Sequence, residues 1–268
     1  MTKLGQNHGR YLGETIDVSS VLRQINIAAQ THGWTSEPMC EINDFPILAW
    51  HRRAIGAGHP LGGSLPACRI YLSAGIHGDE PAGPLAALRL LQQNPWPKTA
   101  EIFLVPCLNP LGFTLNQREN ADGIDLNRDY LIPKTTECRT HIEWLERQPP
   151  FDIYFCLHED WESRGFYLYE QNPENRPSLA DAMIEAVRKV CPIDTSEIIE
   201  DRPACGGIIR PAIKIQDRPD WPEAFYLISH KSRQGYTLEA PSDFPLPTRI
   251  NALAAAITAA LPLVTAQS

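Results

Sequence analysis

The sequence predicts an α/β protein with three layers, α/β/α, built on a central mixed, mostly parallel twisted sheet, in one domain spanning residues 1–268. Two observations predict this. Strand-like apolar runs alternate with helical stretches along the chain, the order that produces strand–helix–strand units. The strand runs, such as RIYLSA and DIYFCL, are almost wholly apolar instead of alternating with polar residues. That is the pattern of strands covered on both faces. A chain of 268 residues suits one large α/β domain.

The elements follow in order. Residues 17–31 (DVSSVLRQINIAAQT) have apolar positions at helical spacing, with Asp17 or a following serine as a candidate cap. Residues 46–53 read as a strand, and the Gly/Pro-rich GAGHPLGGSLP at 56–66 as a turn or loop. A strand at 67–75 precedes a loop that runs into a helix ending near residue 93, and a further strand begins at residue 100. A helix is expected over 138–148, strands over 151–159 and 165–170, and an amphipathic helix over 177–190. Residues 202–234 read as a long loop, 235–242 as a late strand, and the chain ends in a helix from about Pro247.

Composition narrows the function. A net charge of −8 and a pI near 5.5 argue against a general nucleic-acid binder, which needs a basic face for phosphates. The seven cysteines are odd in number and include no C-x-x-C, which suits a reduced, cytoplasmic protein and not a disulfide scaffold. The first residues, MTKLGQNHGRYLGET, lack the apolar core of a signal peptide. No run approaches the roughly 18 consecutive apolar residues of a membrane span. The Ala-rich stretch near the end reads as a packed helix.

In sheets of this kind, ligands sit outside the carboxyl ends of the strands. His77 and Glu80 follow the strand at 67–75, His158 closes the apolar run at 151–157, and Glu239 lies in the late strand. All fall on one rim. His77 and Glu80 are three apart, so a turn or first helical twist can aim both at one ion. Imidazole nitrogen with carboxylate oxygen suits zinc, and a second histidine completes the His2Glu set of a catalytic site with its fourth position open to water. With eight histidines in the chain, one His-x-x-Glu arises by chance in about every second sequence of this composition. The weight therefore falls on the shared rim and not on the spacing.

These residues resemble the zinc carboxypeptidase family in its compact bacterial form. The matching pieces are His77-x-x-Glu80 after a strand, the N-P-x-G-F run from Asn109 to Phe113, Arg118, Asp125-x-Asn127-Arg128, His158 at a strand end and Glu239 in a late strand. The succinylglutamate desuccinylase/aspartoacylase branch shares much of this order. The resemblance implies a zinc carboxypeptidase-like sheet and one zinc ion held by His77, Glu80 and His158. It implies Glu239 as general base and acid, and Arg118 as stabiliser of the developing oxyanion. Asn127 and Arg128 are the implied binders of a substrate carboxylate, and Asp125 the implied partner of a zinc-ligand histidine. Glu159 and Asp160, beside His158, stay unassigned.

The activity implied is cleavage of a C-terminal amide bond in a short peptide or a cell-wall peptide, with no nucleic-acid or membrane partner and no oligomeric state indicated. An alternative is deacylation of an N-acyl amino acid. The branch that does this usually appends a small β-rich domain, whereas the residues after Glu239 here predict a helix. A third reading is a non-catalytic binding domain on the same fold. The mobile tyrosine of the digestive enzymes has no motif here; Tyr226 and Tyr236 lie in the right stretch but suit strand packing. The 202–234 segment is the expected specificity element; its Arg202, Arg210, Lys214, Arg218, Lys231 and Arg233 either favour an acidic substrate or, as is commoner for such charges, form a solvated loop surface.

Overall fold

The computed structural model describes residues 11, 15–55, 68–211 and 218–266. The predicted turn at 56–66 and Lys214 lie outside the described residues. Among these residues, ten strands form one sheet: β1 (Thr35–Ile42), β2 (Phe45–Arg52), β3 (Cys68–Ala74), β4 (Ala100–Val105), β5 (Ile153–Asp160), β6 (Tyr167–Gln171), β7 (Ile198–Ile199), β8 (Arg202–Cys205), β9 (Ile208–Ile209) and β10 (Gly235–Pro241). Their spatial order is β1-β2-β4-β3-β5-β10-β6-β9-β8-β7. The four central strands, β4, β3, β5 and β10, are mutually parallel. Antiparallel pairing dominates toward both edges, with β6–β9 a parallel pair among them.

Among the described residues, seven α-helices accompany the sheet: α1 (Val18–Thr31), α2 (Ala82–Gln93), α3 (Pro110–Leu115), α4 (Thr136–Arg147), α5 (Ala180–Val187), α6 (Glu223–His230) and α7 (Leu246–Ala266). The central strands send alternate residues to opposite faces, and both faces are covered. Ile70, Leu72, Ile153, Phe155 and Leu238 pack under α1, α2, α5 and α7. Tyr71, Phe103, Tyr154 and Cys156 pack with Trp144 and Leu145 of α4 and Leu227 of α6. This double burial is why the strand runs are apolar throughout.

Side-chain caps start two of the helices, α1 near its expected position and α4 two residues before the expected 138. Asp17 caps α1 by accepting the Ser20 N–H at 2.9 Å, and Thr135 caps α4 through Cys138 N. α7 is 21 residues with a mean hydropathy of 1.5, long and apolar enough to cross a membrane by length and composition. Here it packs on α2 and α5 with Leu253, Ala256, Ile257 and Leu261 in the core. Its Arg249 reaches under the sheet to Glu159 at the end of β5, an ion pair of 2.5 Å with both side chains fully buried.

Two parts of the sequence reading are corrected. β1 was not anticipated. Its polar, exposed sequence and Pro38, beside a register shift at Pro38/Cys40, are features of an edge strand. It joins β2 through Asn43 and Asp44, both at positive φ, as a two-residue hairpin loop requires. The segment 202–234 is not one loop either. It holds the β8–β9 hairpin, turned by Gly206 and Gly207, and helix α6. Strands of four and two residues are too short for a periodic signal.

Candidate metal centre

β3 ends at Ala74, and the chain turns through Gly75 at φ +64° into the loop carrying His77 and Glu80, which leads into α2. Gly78 in this loop lies so close to α3 that a Cβ would stand 1.9 Å from the Gly112 carbonyl carbon. The Asn109 side chain fastens the same corner: it accepts the Gly112 N–H at 2.9 Å and donates to the Glu119 carbonyl at 3.1 Å. The N-P-x-G-F run is therefore a scaffold that fixes the approach to Arg118.

His77, Glu80 and His158 converge. Their candidate ligand atoms lie within 4.8 Å of one another, and all three side chains are buried. His77 Nδ1 is 2.5 Å from Glu80 Oε1, and His158 Nδ1 is 2.9 Å from Glu80 Oε2. His77 Nε2 faces Asp125 Oδ1 at 3.1 Å, so Nε2–H donates to that carboxylate and Nδ1 is left with its lone pair inward. Both histidines thus turn Nδ1 toward the one Glu80 carboxylate. Two nitrogens and a carboxylate in one buried pocket are a donor set suited to zinc.

The electrostatics agree. Burial would raise the Glu80 carboxyl, but His77 and His158 outweigh it and hold Glu80 well below the usual carboxylate range. Asp125 is likewise held low against burial by His77, Arg118 and Arg128. Arg118 pairs with Asp125 through Nε at 3.0 Å, stands 3.5 Å from Glu80 Oε1, and donates from Nη1 to His77 Nδ1 at 3.3 Å. Asp125 thus holds the ring of His77 and the guanidinium of Arg118 at once. Asp125→Asn is expected to weaken metal affinity about 10- to 100-fold, the usual loss when a ligand's hydrogen-bond partner is altered, read by competition with a chelating dye.

Glu239 pairs in register with His158 across the parallel β5–β10 ladder, so both side chains project from the same face. Burial pushes its carboxyl well above the ordinary range, reinforced by Glu80, Asp160 and Glu200 and partly offset by Arg118. His77, Glu80, Arg118, Asn127, Arg128, His158 and Glu239 all line one cavity of about 410 Å³. Asn127 Oδ1 accepts the Glu223 N–H at 2.9 Å, which leaves its amide N–H groups as the offer to a ligand. Arg128 lies beside it, half-exposed and loosely paired with Asp220 at 4.0 Å.

The rest of the predicted set divides. Of the six basic residues in 202–234, Arg202 and Arg218 line the cavity. Arg210 pairs with Glu170, Arg233 with Glu174, and Lys231 donates to the Gln148 carbonyl. Tyr226 and Tyr236 are core residues away from the cavity. Tyr167 and Tyr169 line it instead, standing opposite Glu239 and Thr237 across the β10–β6 ladder. The alternation in FYLYE, set against Glu239, was the signal that could have found them. Glu159 is structural: it accepts the Ala82 N–H at 2.5 Å at the start of α2 and holds Arg249. Asp160 lines the cavity, its carboxyl pushed up to about 6 by burial and by Glu200 and Glu162.

Comparisons with known proteins bear on this geometry. Residues 66–194 match the family model of the succinylglutamate desuccinylase/aspartoacylase catalytic domain. Murein peptide amidase A of Escherichia coli is 38% identical over 83 residues, 30% of this chain and 33% of that protein. The chain spans between 13% and 33% of the length of the curated relatives it matches. Among solved structures, a candidate metallopeptidase from Shewanella amazonensis superposes with a TM-score of 0.77 at 23% identity, over 93% of this chain and 94% of that one. A metallo-carboxypeptidase from Burkholderia cenocepacia superposes with a TM-score of 0.65 at 17% identity, over 90% and 67%. The chain is thus metallocarboxypeptidase-like in fold, and its residues 66–194 match the succinylglutamate desuccinylase/aspartoacylase catalytic domain.

Proposed function

We propose that this protein is a zinc-dependent metallocarboxypeptidase-type hydrolase that cleaves the C-terminal amide bond of a short peptide or cell-wall peptide. The observation that carries the reading is the convergence of His77, Glu80 and His158 in one cavity with Glu239 in register beside His158. One zinc ion bound by these three residues supplies a Lewis acid and a water acidic enough to act at neutral pH. Glu239, in register beside His158, takes the proton from the attacking water and delivers it to the leaving amine. Arg118, fixed by Asp125, places positive charge where the carbonyl oxygen becomes negative. Asn127 and Arg128 receive the substrate carboxylate, the arginine as a two-pronged charged donor. Cytoplasmic residence belongs to the same proposal, supported by seven cysteines of which none is in a disulfide.

A second reading, N-acyl amino acid deacylation, is favoured by the family match over residues 66–194. It uses the same residues and differs in the shape of the acyl side. Zinc-loaded protein assayed on unprotected di- and tripeptides, muropeptide-type stem peptides and N-acyl amino acids separates the two. Turnover of peptides with release of the C-terminal residue supports the first. Turnover confined to N-acyl amino acids moves the assignment to the second. No turnover on any class, with metal bound, defeats both.

A further inference from the structure

Beneath the cavity lies a buried polar chain that none of the steps above uses. The segment bearing Asn127 and Arg128 docks on the residues that open α6. Tyr130 N donates to the Trp221 carbonyl at 3.2 Å, and Glu223 N donates to Asn127 Oδ1 at 2.9 Å. The same two segments are also joined through the core. Tyr130 Oη is 2.7 Å from His141 Nδ1, and His141 Nε2 is 2.9 Å from Tyr71 Oη. Tyr71 Oη donates to Glu223 Oε1 and Ser73 Oγ to Glu223 Oε2, both at 2.8 Å. All five residues are buried, and none borders the cavity.

Counting protons fixes the direction of this chain. Tyr71 has one hydroxyl proton and spends it on Glu223, so its oxygen accepts from His141 Nε2–H. Burial pushes the His141 imidazole down to about 3, so the ring is neutral with one N–H. Nδ1 therefore accepts from the Tyr130 hydroxyl. The chain starts three residues after Asn127 and ends on the residue whose own N–H holds the Asn127 side chain, so it closes a ring. Burying a carboxyl this deep is costly unless every lone pair is met. Here the carboxyl is pushed up to about 7 by burial, with Tyr71, Ser73 and Cys156 opposing the shift.

We propose that Glu223 is a positioning residue that sets Asn127, and with it Arg128, for the substrate carboxylate, acting through its backbone N–H and the Tyr130–His141–Tyr71 chain. This rests on the carboxylate-anchor reading above. A side chain so held offers its donors in one direction, and small displacements of such groups cost binding steeply.

The test uses the zinc-loaded protein on matched peptides with a free C-terminal carboxylate or a C-terminal amide. Glu223→Ala is expected to raise KM for the carboxylate peptide about tenfold, on the order of one displaced hydrogen bond, and to cut the carboxylate-over-amide preference by the same factor while kcat changes little. Glu223→Gln, which still accepts from Tyr71 and can donate to a turned Ser73 hydroxyl, restores most of the preference. Should Glu223→Ala fail to fold, Tyr130→Phe cuts the same chain at constant volume. It is expected to lower the preference about threefold, a fraction of one hydrogen bond. Loss of preference in Asn127→Ala and Arg128→Ala, with full preference kept in the Glu223 or Tyr130 variant, overturns the inference and leaves the anchor standing. Wild-type protein with no preference for the carboxylate overturns both. A fall in kcat alone, with KM and preference unchanged, reduces Glu223 to a folding role and also overturns it.

Discussion

Glu239→Gln is expected to lower kcat by about 10²- to 10⁴-fold, the range of a lost general acid–base group, while KM and metal content stay near those of the parent. The substitution keeps the volume and the place in β10 beside His158 but removes the proton acceptor. Because Glu239 is not one of the three converging ligands, metal binding should survive. The check pairs steady-state kinetics with metal analysis of the same preparation. Turnover equal to that of the parent would sink the acid–base role. Loss of metal together with activity would show Glu239 acting as a ligand instead.

His158→Ala is expected to have the other large effect: loss of tightly bound metal and of measurable turnover, with the sheet intact by circular dichroism. Two ligands cannot replace the His2Glu set, and Glu80 Oε2 loses the imidazole that faces it at 2.9 Å. The site should also discharge its metal as pH falls, because protons compete for His77 and His158. In the metal-free protein the sign reverses. Burial opposes protonation of His77, but Glu80 and Asp125 prevail and raise its pKa. That contribution to stability is full below the pKa of an unfolded histidine and fades as pH rises through the folded value. Metal should therefore add more to the thermal midpoint at pH 8 than at pH 6. A midpoint gain that shrinks with rising pH would contradict the assignment of His77 as a ligand.

The parts of this molecule most legible in the sequence were those whose signal is local. β3 and β5 announce themselves because both faces are buried, and α1 because Asp17 precedes a clean apolar stripe. The convergence of His77, Glu80 and His158 was readable because strand ends of a parallel sheet share a rim. What escaped depends on partners distant in sequence. β1 is polar and edge-bound, and only its pairing with β2 makes it a strand. Arg210, Lys231 and Arg233 admit a substrate-facing or a solvated reading from sequence, and each is claimed by a contact elsewhere that spacing cannot reveal. Tyr167 and Tyr169 enter the cavity only through the register of β6 on β10.

The buried Arg249–Glu159 contact has a consequence for how this polypeptide tolerates shortening. Glu159 follows His158 directly, and its backbone N–H donates to Glu80 at 3.1 Å. An uncompensated anion in that place costs on the order of 3–5 kcal/mol, and it would press on two of the three converging side chains at once. Cutting the chain before Arg249, or replacing Arg249 with methionine, should thus soften the reaction zone and not merely fray a terminus. Fusions at the C-terminal side belong beyond α7, and permuted variants need new ends that leave α7 joined to the residues before it.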